Sequence, residues 1–322
     1  MLKHFLPALG LFFFSFTISA QYTETINSNR PGNSSGAFAV GNQVLQFETG
    51  LQYGQNNHDL LETETDQLGV DYEVRYGFLM EQLEINLKGT YLSSTQQQII
   101  GGQEIEYKYR NFRSNTLGVK YLIYDPYKND YFEKPNLKSW KANNSFKWKD
   151  LIPAVSVYAG ANLLFGDNPY LAPNEPNISP QFVLLTQNNW GRWVFVMNFV
   201  VDKVTTDYPS YAGIFTMTHS INSKVSVFGE YQVIKNDLYS DNLLRAGGAY
   251  LLTKDLQLDA SAMVNFKNTP SRWQATLGVS YRIDMHSSDE LIFDPAKKEK
   301  PEEDAKKKRN SELVNPDGTM ND

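Results

Sequence analysis

The chain has 322 residues, a formal net charge of −6 and no cysteine, which excludes a disulfide framework, a thiolate metal centre and a lipid-modified cysteine anchor. A mean hydropathy of −0.45, with no long apolar run after residue 20, excludes a membrane-spanning helix beyond that point. The distinctive residues are 19 Tyr, 19 Phe and 5 Trp, types that fit pleated sheets and, for Tyr and Trp, membrane interfaces.

Residues 1–20 read as a secretory signal: Lys3 and His4 form a basic start, Leu9 to Phe16 an apolar centre, and Ile18-Ser19-Ala20 a small-residue end. Residues 21–41 form an N-terminal arm. Its centre, Asn29-Arg30-Pro31-Gly32-Asn33-Ser34-Ser35, is rich in types that oppose regular structure, so an ordered arm is expected rather than a strand.

From residue 42 to residue 284 the pattern is alternation. Side chains of a strand point to opposite faces with a period of two, and about twelve segments sort that way. The first sets Leu45, Phe47, Leu51 and Tyr53 on one face, and the second Leu68, Val70, Tyr72, Val74, Tyr76 and Phe78. The seventh sets Trp193, Phe195, Met197, Phe199 and Val201, and the last Trp273, Ala275, Leu277, Val279, Tyr281 and Ile283. Segments six and ten carry the weakest pattern. Most run ten residues or more, longer than ordinary soluble strands and close to the length that crosses a bilayer at a tilt. Aromatic residues gather near their ends. The expected fold is all-β: a transmembrane antiparallel up-and-down barrel of about 12 strands, with apolar faces toward lipid and polar faces toward the lumen.

Gaps near 54–67, 93–111, 166–178, 203–209, 234–241 and 267–271 are expected as outer loops. Those near 79–82, 189–191, 220–223 and 253–255 are expected as short inner turns. One inner connection, 125–150, is long; its Lys134, Lys138, Lys141, Lys147 and Lys149 with Trp140, Phe146 and Trp148 suit a segment against the membrane face or an ordinary long loop. Residues 285–322 form a charged tail, of which 297–309 is a mixed-charge run with no apolar face. Both termini are expected in the periplasm of a Gram-negative cell.

The inward faces hold Glu48, Asp71, Glu73, Arg75, Glu84, Lys88, Lys120, Arg192, Asp202, Lys224, Glu230, Arg245, Asp259, Arg272 and Arg282. Neither sign dominates, so pairing across the lumen is expected, with a merely wet inner wall as the alternative for any single residue. Beyond residue 20, His58 falls in a loop, His219 at a strand end and His286 after the last strand. They promise no catalytic triad, and no metal-ligand or phosphate-binding spacing is present, so neither an enzyme nor a cofactor is expected.

The arm Thr25 to Ser35, the run Val44 to Gly50 and the run Tyr72 to Leu87 resemble a bacterial outer-membrane family of transporters of the MetA pathway of phenol degradation, many from Bacteroidetes. The resemblance spans roughly residues 25 to 283, and the Arg-Pro-Gly of the arm is its most specific part. It implies a porin-like barrel that passes small, aromatic or apolar molecules through the outer-membrane lipid, with the arm folded into the lumen and Arg30 meeting Glu48, Asp71 or Glu84. The alternatives are a flexible leader for the arm and, for the protein, an accessory subunit of a larger outer-membrane assembly. Such a subunit would meet outer-membrane or periplasmic proteins through 125–150 and the tail. Nucleic acid is not expected as a partner.

Overall fold

The computed structural model describes residues 25–127, 148–172 and 175–285. The signal segment, most of the 125–150 connection with Lys134, Lys138, Trp140, Lys141, Phe146 and Lys147, the charged tail with its 297–309 run and His286 lie outside the described residues.

Twelve strands follow one another: β1 Val44–His58, β2 Thr63–Gly77, β3 Leu83–Ile100, β4 Gln103–Tyr124, β5 Ala154–Leu163, β6 Ile178–Trp190, β7 Trp193–Asp202, β8 Ser210–Ser220, β9 Val225–Lys235, β10 Ser240–Thr253, β11 Leu256–Asn265 and β12 Ser271–Asp284. Each pairs antiparallel with its neighbours in sequence, and β12 returns to β1, so the sheet closes. The seam runs unbroken from Val44 opposite Asp284 to Asn57 opposite Ser271. Closure leaves no strand edge along the apolar belt, which is what a hydrocarbon surrounding demands of backbone N–H and C=O groups.

The faces are sorted in reverse of a soluble protein. Leu51 is 63% exposed, Leu68 60% and Leu277 68%, whereas Arg75 and Glu84 are 0% exposed. The apolar set of each strand looks outward and the charged set inward, an inversion that suits lipid outside and a polar lumen inside. One stretch of the inner wall is apolar: Tyr158, Val183 and Leu185 pack together with Val200.

The two ends of the barrel differ. At the end holding the termini the links are short, at 78–82, 191–192, 221–224 and 254–255, apart from 125–153. At the opposite, hairpin end, β1–β2 and β3–β4 run farther than expected. The gaps at 54–67 and 93–111 are largely strand, with only residues 59–62 and Gly101-Gly102 turning the chain. The β1–β2 extension is polar on both faces, and in β3–β4 only Ile99, Ile100, Ile105, Tyr107 and Tyr109 interrupt polar residues, so alternation fades although the ladder continues. Gly101 and Gly102 have φ of 61° and 81°, the positive values that a two-residue hairpin turn requires and glycine supplies without strain. Of the 125–153 link, a 3-10 helix at Trp148–Leu151 is tied to β6: the Asp150 carbonyl accepts from Trp190 Nε1 at 2.6 Å and Asn188 Nδ2 at 3.2 Å.

Candidate functional site

Residues 25–42 run inside the barrel, in the half nearest the termini. The segment enters beside the β10–β11 turn, where Ile26 N donates to the Lys254 carbonyl at 2.8 Å, and leaves into β1. Proline, glycine and asparagine keep it irregular, so its backbone groups have no ladder of their own. Buried backbone groups must nevertheless be paired, and the wall supplies side chains to pair them.

Four clusters do so. At the first, Arg75 reaches both oxygens of Glu84 through Nε and Nη2 at 2.9 Å each, the two-pronged geometry a guanidinium favours. Its Nη1 donates to the Asn27 carbonyl at 2.7 Å and to Glu48 at 3.3 Å. Lys120 Nζ lies 3.3 Å from Glu84 and donates to the carbonyls of Gly36 and Phe38 at 3.1 and 2.9 Å. Glu84 also accepts from Val40 N at 3.0 Å. The acids and cations here neutralise one another while holding both legs of the arm.

At the second, Ser28 Oγ and Arg30 N donate to Glu48 Oε2 at 2.7 and 3.1 Å, and Asn29 Nδ2 donates to Glu73 at 2.8 Å. The Arg30 side chain crosses the β1–β12 seam to Asp259, through Nε at 3.2 Å and Nη2 at 3.1 Å. The expected side-chain partners Glu48, Asp71 and Glu84 are therefore replaced by Asp259, and Glu48 receives only the Arg30 backbone. The reason is a paired gap in the wall. Gly50 and Gly278 face each other in register, and a Cβ on either would overlap the guanidinium.

At the third, Glu230 Oε2 accepts from Asn33 N, Ser34 N and Thr216 Oγ1 at 2.8, 3.2 and 2.8 Å, and Arg245 pairs with its other oxygen. At the fourth, Ser35 N donates to Asn198 Oδ1 at 2.6 Å and the Ser35 carbonyl accepts from Asn198 Nδ2 at 2.9 Å. Ala37 N donates to Gln187 at 3.0 Å, and the Ala37 carbonyl accepts from Ser156 Oγ at 2.5 Å. The polar residues Ser156, Gln187 and Asn198 drew no attention in the sequence, where an uncharged inward residue looks like any wet wall position.

Above the arm, toward the hairpin end, lies a cavity of about 350 Å³. Asp71, which accepts from Thr90 Oγ1 at 2.6 Å and Gln52 Nε2 at 3.2 Å, and Asp202, which accepts from Asn162 Nδ2 at 2.6 Å, line it. Lys88 also faces it, with Nζ 5.4 Å from the Tyr158 ring centroid. So does Arg272, which donates from Nε to Asn56 Oδ1 and from Nη1 to the Tyr239 hydroxyl, each at 3.0 Å. Arg282 sits near the opposite end, 3.6 Å from Asp284.

Two expected lumen residues are not on the inner wall. Arg192 belongs to the β6–β7 turn, where Nη1 donates to the Ile221 carbonyl at 3.3 Å, and Lys224 belongs to the β8–β9 turn, capped through its N by Asn222 at 2.8 Å. The strands β7 and β9 begin just after them, at Trp193 and Val225, so counting by twos overran the ladder. A third basic residue was missed. Arg113 lines the cavity because a bulge between Thr90 and Tyr91 sets Ser114 opposite Thr90 and Phe112 opposite Tyr91, leaving one residue extra on β4. As for the histidines, His58 Nδ1 accepts from Leu61 N at 3.3 Å in its hairpin turn, and His219 lies against Trp193, with ring centroids 4.1 Å apart.

A family model described as "Putative MetA-pathway of phenol degradation" matches residues 28–283. No curated protein sequence matches the chain. Among solved structures, an outer membrane channel from Pseudomonas putida F1 superposes with a TM-score of 0.53 at 8% identity, covering 78% of this chain and 100% of that one. The translocator domain of the autotransporter NalP from Neisseria meningitidis reaches 0.44 at 10% identity, covering 76% and 89%. The CymD monoaromatic hydrocarbon channel reaches 0.40 at 9%, covering 76% and 89%.

Proposed function

The chain belongs to the MetA-pathway phenol-degradation family, and from that membership and the arrangement of its lumen we propose that it is a passive outer-membrane channel for small molecules, gated by its own N-terminal arm. The observation that carries this reading is the division of the lumen into a half filled by residues 25–42 and a half left open as a polar cavity of about 350 Å³. A barrel built only as a scaffold has no need of a water-accessible space above a segment held by ion pairs and hydrogen bonds. The terminal end, with its short links, faces the periplasm in this reading, and the long hairpins face outward, as in barrels that alternate short inner turns with longer outer loops. Small aromatic molecules, the cargo the family description suggests, would enter from the hairpin side and pass when the arm yields.

The test is single-channel recording from the purified protein in a lipid bilayer. The native chain should conduct rarely and in brief openings. Arg30→Ala, which frees the arm from Asp259, should raise the open probability severalfold. Identical current in the two would remove the gate, and no current even after deletion of residues 25–41 would remove the channel.

One observation favours a second reading, an accessory subunit of a larger assembly. Pairing of β4 with β5 begins at Thr116, so among the described residues Gln103 to Asn115 has no ladder partner on that side. Glu104, Glu106, Lys108 and Arg110 put charge along this edge, which works against indiscriminate strand addition but not against a partner of matching charge. Stable copurification of other proteins with a non-conducting barrel would favour this reading over the first.

A further inference from the structure

The lining of the cavity above the arm holds a basic patch and an apolar patch among polar and acidic residues that include Asp71, Glu73 and Asp202. Arg113 from β4 and Arg272 from β12 both face it. Among the described residues neither guanidinium has a carboxylate at ion-pair distance. Arg272 is held by neutral oxygens of Asn56 and Tyr239, and Asp71 spends Oδ1 on Thr90 and Gln52. This contrasts with the arm, where Arg30, Arg75, Lys120 and Arg245 are each matched to an acid. Two like charges brought toward one confined space repel, and an anion received between them gains from both while relieving the repulsion. An apolar patch lies in the same lining: Leu243 and Met263, beside Arg245 and Ser261 of the same strands, are otherwise buried, at 6% and 4% exposure. About 350 Å³ lies at the small end of the volumes that hold organic ligands.

We propose that this cavity is a binding site for a small amphiphilic organic anion, its carboxylate received by Arg113 and Arg272 and its ring or chain laid on Leu243 and Met263, and that solutes of this class are the ones the channel selects. The inference deepens the channel reading and rests on it for the word "selects", but the site itself can be tested apart from conduction.

Benzoate and its neutral analogue benzyl alcohol serve as probes, measured by equilibrium dialysis against the full chain in detergent. Benzoate should bind saturably and at least tenfold more tightly than benzyl alcohol, and more tightly than acetate, which lacks the apolar part. Arg113→Ala and Arg272→Ala should each weaken benzoate by tenfold or more, while Arg113→Lys, which keeps the charge, should lose less. The heat-dependent shift in gel mobility that closed barrels show verifies that each variant is folded. Equal binding of benzoate and benzyl alcohol, or benzoate binding indifferent to both alanine variants, would overturn the site, and acetate binding as tightly as benzoate would overturn its apolar half. A protein that binds benzoate but carries no current would retire the channel and keep the site. Steady current with no preference for benzoate would do the reverse.

Discussion

Gly50 and Gly278 lie opposite each other across the β1–β12 seam, and the Arg30 guanidinium occupies the space that their missing side chains leave. The last strand pairing of the barrel and the docking of the arm thus share one spot. Restoring a single methyl there should expel the guanidinium without touching any of its hydrogen-bonding partners. Because the chain has no cysteine, Ser34→Cys provides a clean reporter: Ser34 is buried against Glu230, so maleimide labelling should be slow in an otherwise native chain. Adding Gly278→Ala should speed it by tenfold or more. Unchanged labelling would mean that the arm does not depend on the seam.

Arg75 is heavily committed, bound to Glu84, Glu48 and the Asn27 carbonyl and wholly buried. Removing one partner of a buried ionic cluster leaves the others desolvated without compensation, at a cost of about 3–5 kcal/mol. Arg75→Met should therefore lower the unfolding free energy, measured by urea titration in lipid vesicles, by an amount of that order. Adding Glu48→Gln should recover part of the loss, since Lys120 still matches Glu84 and Glu48 is the charge left stranded. A single variant as stable as the native chain would show that the cluster is not desolvated at all.

At the hairpin end, Tyr239 holds Arg272 in place while donating to Asp241, and Lys267 Nζ lies 4.3 Å from the centroid of its ring. Burial raises the Tyr239 hydroxyl above its ordinary value, and the bond to Asp241 adds to the rise against the opposing charge of Arg272. A raised folded-state value favours the protonated form, so this contribution to stability is complete below the unfolded tyrosine value of about 10 and is lost as pH climbs through the folded one. Amide hydrogen exchange of the 236–240 link should be flat with pH, once corrected for intrinsic rates, up to about pH 10 and loosen above it. Tyr239→Phe should remove the alkaline step. If the step persists in that variant, another group owns it.

How far the sequence could be read follows from where lipid imposes a rule. Along β1, β2, β7 and β12 the hydrocarbon favours an apolar residue at every second position, and of the outward sets named from alternation Phe47, Leu51, Leu68, Trp193, Phe199, Trp273 and Leu277 are exposed while residues such as Leu45, Val74 and Met197 are half-buried. Where lipid ends, the demand ends. Beyond Leu92, β3 is polar until Ile99, and only Ile105, Tyr107 and Tyr109 break the polar run at the start of β4, so the hairpin read as a loop although its ladder reaches Ile100 opposite Gln103. Phase counting has no memory of strand ends, which placed Arg192 and Lys224 on the wall. It has no knowledge of bulges either, which hid Arg113. The Arg30–Asp259 pair was beyond reach for another reason: 229 residues separate its members, and only the closed ring with its glycine gap brings them together.

The sharpest test of the inverted barrel compares two neighbours on β12. Leu277 pairs with Leu51 and Ala260 midway along its strand and is exposed on the outside, whereas Thr276 points into the cavity. An arginine at Leu277 would meet hydrocarbon, where a cation near the bilayer midplane costs about 2–4 kcal/mol. An arginine at Thr276 would meet water and the carboxylates of the lumen and should cost much less. Unfolding titrations in lipid vesicles should therefore rank the two variants with Leu277→Arg clearly the less stable. In a water-soluble barrel the order would reverse, because Leu277 would already be solvated and Thr276 would be the buried position. Equal stability, or the reversed order, would sink the transmembrane assignment on which the gate and the lumenal site both depend.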